Sequence, residues 1–166
     1  MKKNLLLMLI AVMGMFAMSA CGDDDDDVKP GNLPAGVENA MKVQFPNAQN
    51  VKWEKKGAYV VADFIDARLE KEAWFTNDAK LAMTETDYGK DLFYLPSVVE
   101  KSFSEGEYGT WIVDDIDFYE RTDKDFYLIE VEKAGQRDMD LYYSPDGVLI
   151  KAVPDSDVEI TPDTVI

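Results

Sequence analysis

The chain has 166 residues, 33 of them acidic against 17 basic, and a formal net charge of −16. That excess excludes nucleic-acid binding, which Lys and Arg drive by neutralising phosphates, and polybasic docking to anionic lipid. The lack of histidine excludes Ser-His and Cys-His catalytic pairs, His-ligated zinc and His-ligated haem, and a single cysteine excludes an intrachain disulfide.

The chain opens with Lys2 and Lys3 and continues uncharged from Asn4 to Ala20, with an apolar stretch from about Leu5 to Met18. Small residues follow, and Cys21 comes directly after them. A spanning helix needs about 20 apolar residues, and this run is short of that. The layout is that of a lipoprotein signal peptide, residues 1–20, with Cys21 the acylated residue of the mature chain. Met18 stands where Leu is commonest in such a motif. The segment predicts an outer-membrane lipoprotein, periplasmic or surface-exposed, that touches the membrane only through its lipid. Two or more acyl chains hold firmly, at about 0.8 kcal/mol per buried CH₂. Removing residues 1–20 leaves 15 basic and 33 acidic residues, a charge of −18.

Residues 21–32 read as a lipidated cysteine and an acidic tether. Asp23, Asp24, Asp25, Asp26 and Asp27 repel one another, and Pro30-Gly31 breaks regular structure. The tether could reach about 35 Å. It is either a solvated spacer or a sorting signal for placement in the envelope. It lacks the interleaved ligands and turn glycine of a calcium loop.

From residue 33 to residue 153 the chain reads as one unit twice, 33–90 and 91–153. Leu33-Pro34 with Val37 answers Leu95-Pro96 with Val99, Trp74 to Leu81 answers Tyr142 to Leu149, and Tyr59 answers Tyr127. Each unit begins with a helix, whose first position Pro34 or Pro96 would suit. Val37, Met41 and Phe45 make the first apolar stripe, ended by Pro46; Leu95, Val99 and Phe103 make the second, ended by Gly106. Alternation then predicts four strands per unit: from Val51, Ala58–Ile65, Leu69–Thr76 and Leu81–Thr86 in the first, and Ile112–Arg121, Asp125–Glu132, Arg137–Ser144 and Val148–Val153 in the second. A unit of about 60 residues buries too little to be stable alone, so the two should fuse or pack tightly. The acidic, proline-containing tail 154–166 reads as flexible.

Leu-Pro opening a short helix, an aromatic-Pro stop at Phe45-Pro46, a Tyr-rich strand pair and an aromatic strand entering an Asp-Gly turn resemble the PepSY-like family of Bacteroidetes lipoproteins. That family is described as similar in fold to β-lactamase inhibitor protein. The second unit has Tyr108-Gly109 in place of Phe-Pro, and the first has Ala79 in place of the turn glycine. The resemblance implies an α+β fold of two tandem helix-plus-four-antiparallel-strand repeats, helices on one face of the sheet. It implies no established activity.

One sheet face should then lie open. Alternation assigns Val51, Trp53, Val60, Ala62, Phe64, Ala73, Phe75, Ile116, Phe118, Leu128, Leu141 and Tyr143 to the helix side. It leaves Tyr59, Trp74, Tyr119, Tyr127 and Tyr142 on the open side, among Glu70, Glu72, Asp138 and Asp140. Exposed aromatics either stabilise a sheet by about 0.2–1 kcal/mol per cross-strand pair or form the hot spots of a protein-binding surface. Carboxylates two residues apart on an open sheet lack the cleft that glycoside hydrolysis needs. The expectation is a non-enzymatic, lipid-anchored envelope module, with no cofactor and no metal. Its partner would be an unidentified envelope protein or peptide, or else a glycan stacked on Trp74, Tyr59 and Tyr142.

Overall fold

The structure, a computed structural model, describes residues 26–156 and 158–166. The signal segment, Cys21 and Asp23 to Asp25 lie outside the described residues. Strands run in chain order: β1 (Asp26–Asp27), β2 (Gln49–Lys56), β3 (Tyr59–Asp66), β4 (Leu69–Thr76), β5 (Leu81–Asp87), β6 (Ile112–Arg121), β7 (Phe126–Glu132), β8 (Met139–Tyr143) and β9 (Leu149–Pro154). Two short helices interrupt them, α1 (Val37–Gln44) before β2 and α2 (Ser97–Glu105) between β5 and β6.

These strands make one open antiparallel sheet in strict sequence order, β1 to β9. This corrects the expected two helix-plus-four-strand repeats. β5 and β6 pair from Met83↔Arg121 to Asp87↔Asp117, so the strand that would close one repeat and the strand that would open the next are ordinary neighbours. Thr84 and Thr86 are buried there. The physical reason is edge pairing: two separate four-stranded sheets would each expose an unpaired row of N–H and C=O groups. The helices are minor partners, of 8 and 9 residues. The tether is not wholly outside the fold either, because Asp26 and Asp27 pair with Lys55 and Glu54 at the β2 edge.

Each helix buries two residues of its stripe, Val37 and Met41 in α1 and Val99 and Phe103 in α2. Neither proline takes the first helical position: Gly36 and Pro96 are the N-caps, and Pro96 is still extended at ψ 141°. α1 sits with Trp53, Val60, Ala62, Phe64, Ala73 and Phe75. α2 sits with Ile116, Tyr127, Ile129, Val131, Leu141 and Tyr143. The β8–β9 turn closes on α2 so tightly that a Cβ on Gly147, at φ 84°, would meet the Val98 carbonyl at 2.7 Å. The matching turn in the first half adopts the same left-handed conformation with Ala79, at φ 62°, a conformation that disfavours a side chain by roughly 1–2 kcal/mol.

The opposite face is not open. Val61, Trp74, Met83, Tyr119, Phe126, Leu128 and Tyr142 form a third core there, and Ile160 from the tail closes it. Residues 158–166 are therefore a strap across the sheet, where the sequence suggests a loose end. The face assignment in β7 is also corrected: Tyr127 and Ile129 point to the helix side, Phe126 and Leu128 to the strap side. Phe126 to Ile129 are all buried, so both faces of this strand are apolar and alternation carries no phase. Two-layer burial of a central strand erases the period-2 signal.

Candidate binding face

The strap side of the sheet divides into two zones. Residues i and i+2 of a strand share a face, and register aligns them across strands. Val61, Trp74 and Met83 are successive partners across β3, β4 and β5. With Tyr119, Phe126, Leu128 and Tyr142 they make an apolar strip. One step along, Asp63, Glu72 and Glu85 are successive partners. Asp87 pairs with Asp117, Asp115 with Glu130, and Glu130 with Asp140. Eight carboxylates thus run diagonally across one face.

Of the sequence-predicted aromatics, Trp74 is fully buried, Tyr119, Tyr127 and Tyr142 are buried, and Tyr59 is half-buried. Tyr59, Trp74, Tyr119 and Tyr142 belong to the strap-side core; Tyr127 lies on the far side, stacked on Phe118 at 4.5 Å. The proposed equivalence of Tyr59 and Tyr127 therefore fails in orientation. With the strap in place, Trp74 and Tyr142 offer no ring face on which a sugar could stack.

The strap is held mainly by side chains. Arg121, with its side chain 7% exposed, donates to the carbonyls of Thr164 at 2.6 Å and Pro162 at 3.0 Å, and to Asp123 through Nε and Nη2. Lys56 Nζ pairs with Glu159 at 2.6 Å, Glu54 at 2.7 Å and Glu72 at 3.4 Å, and lies 5.1 Å from the Trp74 ring centre. Tyr59 Oη donates to Asp163 at 3.1 Å, and Lys151 Nζ lies 4.3 Å from the Tyr142 ring centre. Thr161 and Thr164 bond each other's backbone in a local turn. Among the described residues 158–166 there is no strand pairing with the sheet. Burying Ile160 contributes about 1.5–3 kcal/mol, each neutral hydrogen bond about 1 and each exposed ion pair about 0–1. Ordering the segment opposes these gains, and no backbone ladder has to be unpaired to release it, so the strap is separable from the sheet.

The sequence signals Arg121 only as a strand residue of this face, and Ile160 not at all, since one aliphatic residue in an acidic, proline-containing tail has no period. Alternation places Asp117 on this face from the sequence, and Glu85 could have been found by extending the same alternation into the last strand of the first half.

Burial, then Glu72 and Glu54, push the Asp63 carboxyl from its ordinary 3.8 to about 7, with Lys56 opposing. Burial, then Glu85 and Asp115, push Asp117 well up. Burial works against the Lys56 ammonium, but Glu72, Glu159 and Glu54 outweigh it and hold it charged. Glu54, Asp63 and Glu72 bring one oxygen each within 4.8 Å of one another, as do Asp87, Asp115 and Asp117. Such all-oxygen trios have the chemistry for hard cations, though in the first Lys56 already supplies the positive charge. An open groove of about 700 Å³ flanks the band, bordered by Lys52, Asp63, Glu70, Glu72, Glu85 and Asp87 among others.

A pH dependence follows. Asp63 holds its proton more tightly folded than unfolded, so its stabilising contribution is full below about pH 4 and lost as pH rises through about 7. Asp117 acts in the same direction. Tm is expected to rise as pH falls from 8 to 5. Asp63→Asn should raise Tm at pH 8 and flatten the profile. Asp63 touches solvent, so screening reduces the effect to about 1 kcal/mol, a few degrees. Identical pH profiles for the two proteins, by calorimetry, would count against this.

Comparison with known proteins bears on what this face is for. A family model described as "Putative beta-lactamase-inhibitor-like, PepSY-like" matches residues 57–151 as one stretch that crosses the β5–β6 junction. A BLIP-like protein from Bacteroides fragilis is 34% identical, covers 80% of this chain and 94% of its own, and superposes with a TM-score of 0.71. A DUF2874 family protein from Bacteroides ovatus is 29% identical, with 75% and 89% covered and a TM-score of 0.70. A protein from Bacteroides eggerthii, described as one of the "putative periplasmic proteins", is 27% identical, with 74% and 88% covered and a TM-score of 0.68. No curated protein matches the sequence. Among the described residues, no helix is long and apolar enough to cross a membrane.

Proposed function

The chain belongs to the PepSY-like, β-lactamase-inhibitor-like family, and from that premise we propose that it is a non-enzymatic binding module of the cell envelope. It is anchored by lipid at Cys21, and it recognises a basic segment of an envelope protein or peptide through the carboxylate band. The observation that carries the reading is the diagonal of Asp63, Glu72, Glu85, Asp87, Asp115, Asp117, Glu130 and Asp140 on one sheet face. Crowded carboxylates repel, and burial removes the water that would screen them, as the raised pKa of Asp63 registers. A Lys or Arg side chain entering the band relieves that repulsion. Rigid strands hold the carboxylates in place before the partner arrives, which lowers the ordering cost of binding. The sequence signals for lipidation support the anchor, and Asp23 to Asp27 the placement.

The test uses a decalysine peptide and calorimetry at low and physiological salt. Asp63→Asn/Glu72→Gln/Glu85→Gln is expected to lose at least about tenfold in affinity, or about 1.4 kcal/mol. Glu38→Gln/Glu100→Gln/Glu105→Gln removes the same charge from the helices and should change affinity little. Equal losses in both would reduce the effect to net charge and overturn the reading. For the anchor, Cys21→Ser should leave the membrane pellet after a high-salt wash; a variant that stays there defeats that part of the proposal.

A further inference from the structure

The strap is chemically unlike the rest of the surface it covers. The protein carries about half as many basic as acidic residues, yet three cations, Lys56, Arg121 and Lys151, border the apolar strip and each contacts the strap. Arg121 addresses main-chain carbonyls at Pro162 and Thr164, groups that a peptide of another sequence also presents. Lys56 and Tyr59 address the carboxylates of Glu159 and Asp163. Ile160 packs into the apolar core that also holds Trp74 and Tyr142. The seat therefore reads an acid, then a β-branched aliphatic residue, then an acid three positions on, across the turn between Thr161 and Thr164. No ladder of backbone bonds ties the strap to the sheet, so another segment can take its place without unpairing a strand.

We propose that the strip between Lys56, Arg121 and Lys151 is a second peptide seat, for acidic-aliphatic segments that turn after the aliphatic residue, and that residues 158–166 are its resident occupant in cis. A partner segment of that chemistry binds by displacing the strap, and the strap sets the affinity threshold it must exceed. This inference rests on the binding-module reading but concerns the other zone of the face, so the two can fail separately.

The probe is a fluorescein-labelled nonapeptide with the sequence of residues 158–166, read by fluorescence anisotropy against the full chain. In wild type the strap competes and binding is weak. Ile160→Asp weakens the strap and leaves the seat intact, and it is expected to bind the probe at least about tenfold more tightly than wild type. Glu159→Lys, which breaks the ion pair with Lys56 at its solvent-exposed partner, is expected to gain about threefold; it guards against an Ile160→Asp protein that does not fold. Adding Arg121→Gln to either variant should abolish the gain while leaving decalysine binding unchanged. No binding of the probe by folded Glu159→Lys and Ile160→Asp proteins, or equal binding by wild type and variants, overturns the proposal. If decalysine binding survives that result, only this seat is lost; if both probes fail, the binding-module reading falls with it.

Discussion

Trp74→Ala is expected to destabilise the protein by about 3–5 kcal/mol, the cost of emptying a large buried aromatic site. On its alternation alone Trp74 is a surface residue whose loss the fold would tolerate. In the structure it has no exposed surface, packs edge-on to Tyr59 at 6.0 Å, and donates Nε1–H to Glu72 at 3.1 Å. Lys56 lies over its ring. Truncation would leave a cavity in the strap-side core and remove the donor to Glu72. Trp53→Ala, on the helix side and 7% exposed, should cost a similar amount, because both faces of this sheet are core. Urea unfolding of the two variants decides the matter: a silent Trp74→Ala beside a strongly destabilised Trp53→Ala would restore an open face.

The second large effect concerns division of the chain. Residues 33–90 and 91–153, expressed separately, are each expected to lack a cooperative unfolding transition, while the whole domain unfolds in one. Each piece would expose a long unpaired edge, β5 in one and β6 in the other. Each would also lose its share of the strap-side core, in which Val61, Trp74 and Met83 from the first half meet Tyr119, Phe126, Leu128 and Tyr142 from the second and Ile160 from the tail. A piece of about 60 residues has little reserve against such losses. Far-UV circular dichroism with urea titration would show it. A sharp transition in either piece alone would mean that the repeat, and not the continuous sheet, is the folding unit.

The two helices and strands β2 to β9 were legible in the sequence because they are written in local chemistry. Val37 and Met41 repeat at helical spacing, Gly57 and Asp146-Gly147 mark turns, and Trp53, Val60, Ala62 and Phe75 alternate with polar neighbours. The helix-side core could be read in the same way for the first half. The candidate site was only partly legible. Glu72 and Asp140 stand in the right phase, but nothing local says that they join Asp63, Glu85 and Asp117 in one band, because that depends on the register of strands separated by a helix and a loop.

By itself, then, the sequence determined a large surplus of acid and an alternating β-rich chain with two short amphipathic helices. Those properties rest on interactions within a few residues, or on composition alone. Tertiary structure decided the rest. It joined the two halves through β5 and β6, since an unpaired edge is costlier than a shared one. It set the phase of β7, whose four consecutive buried residues suit either orientation. It also brought Ile160 into one core with Trp74, residues 86 positions apart, and the energy of that core comes from apolar area removed from water, a quantity that has no expression along the chain.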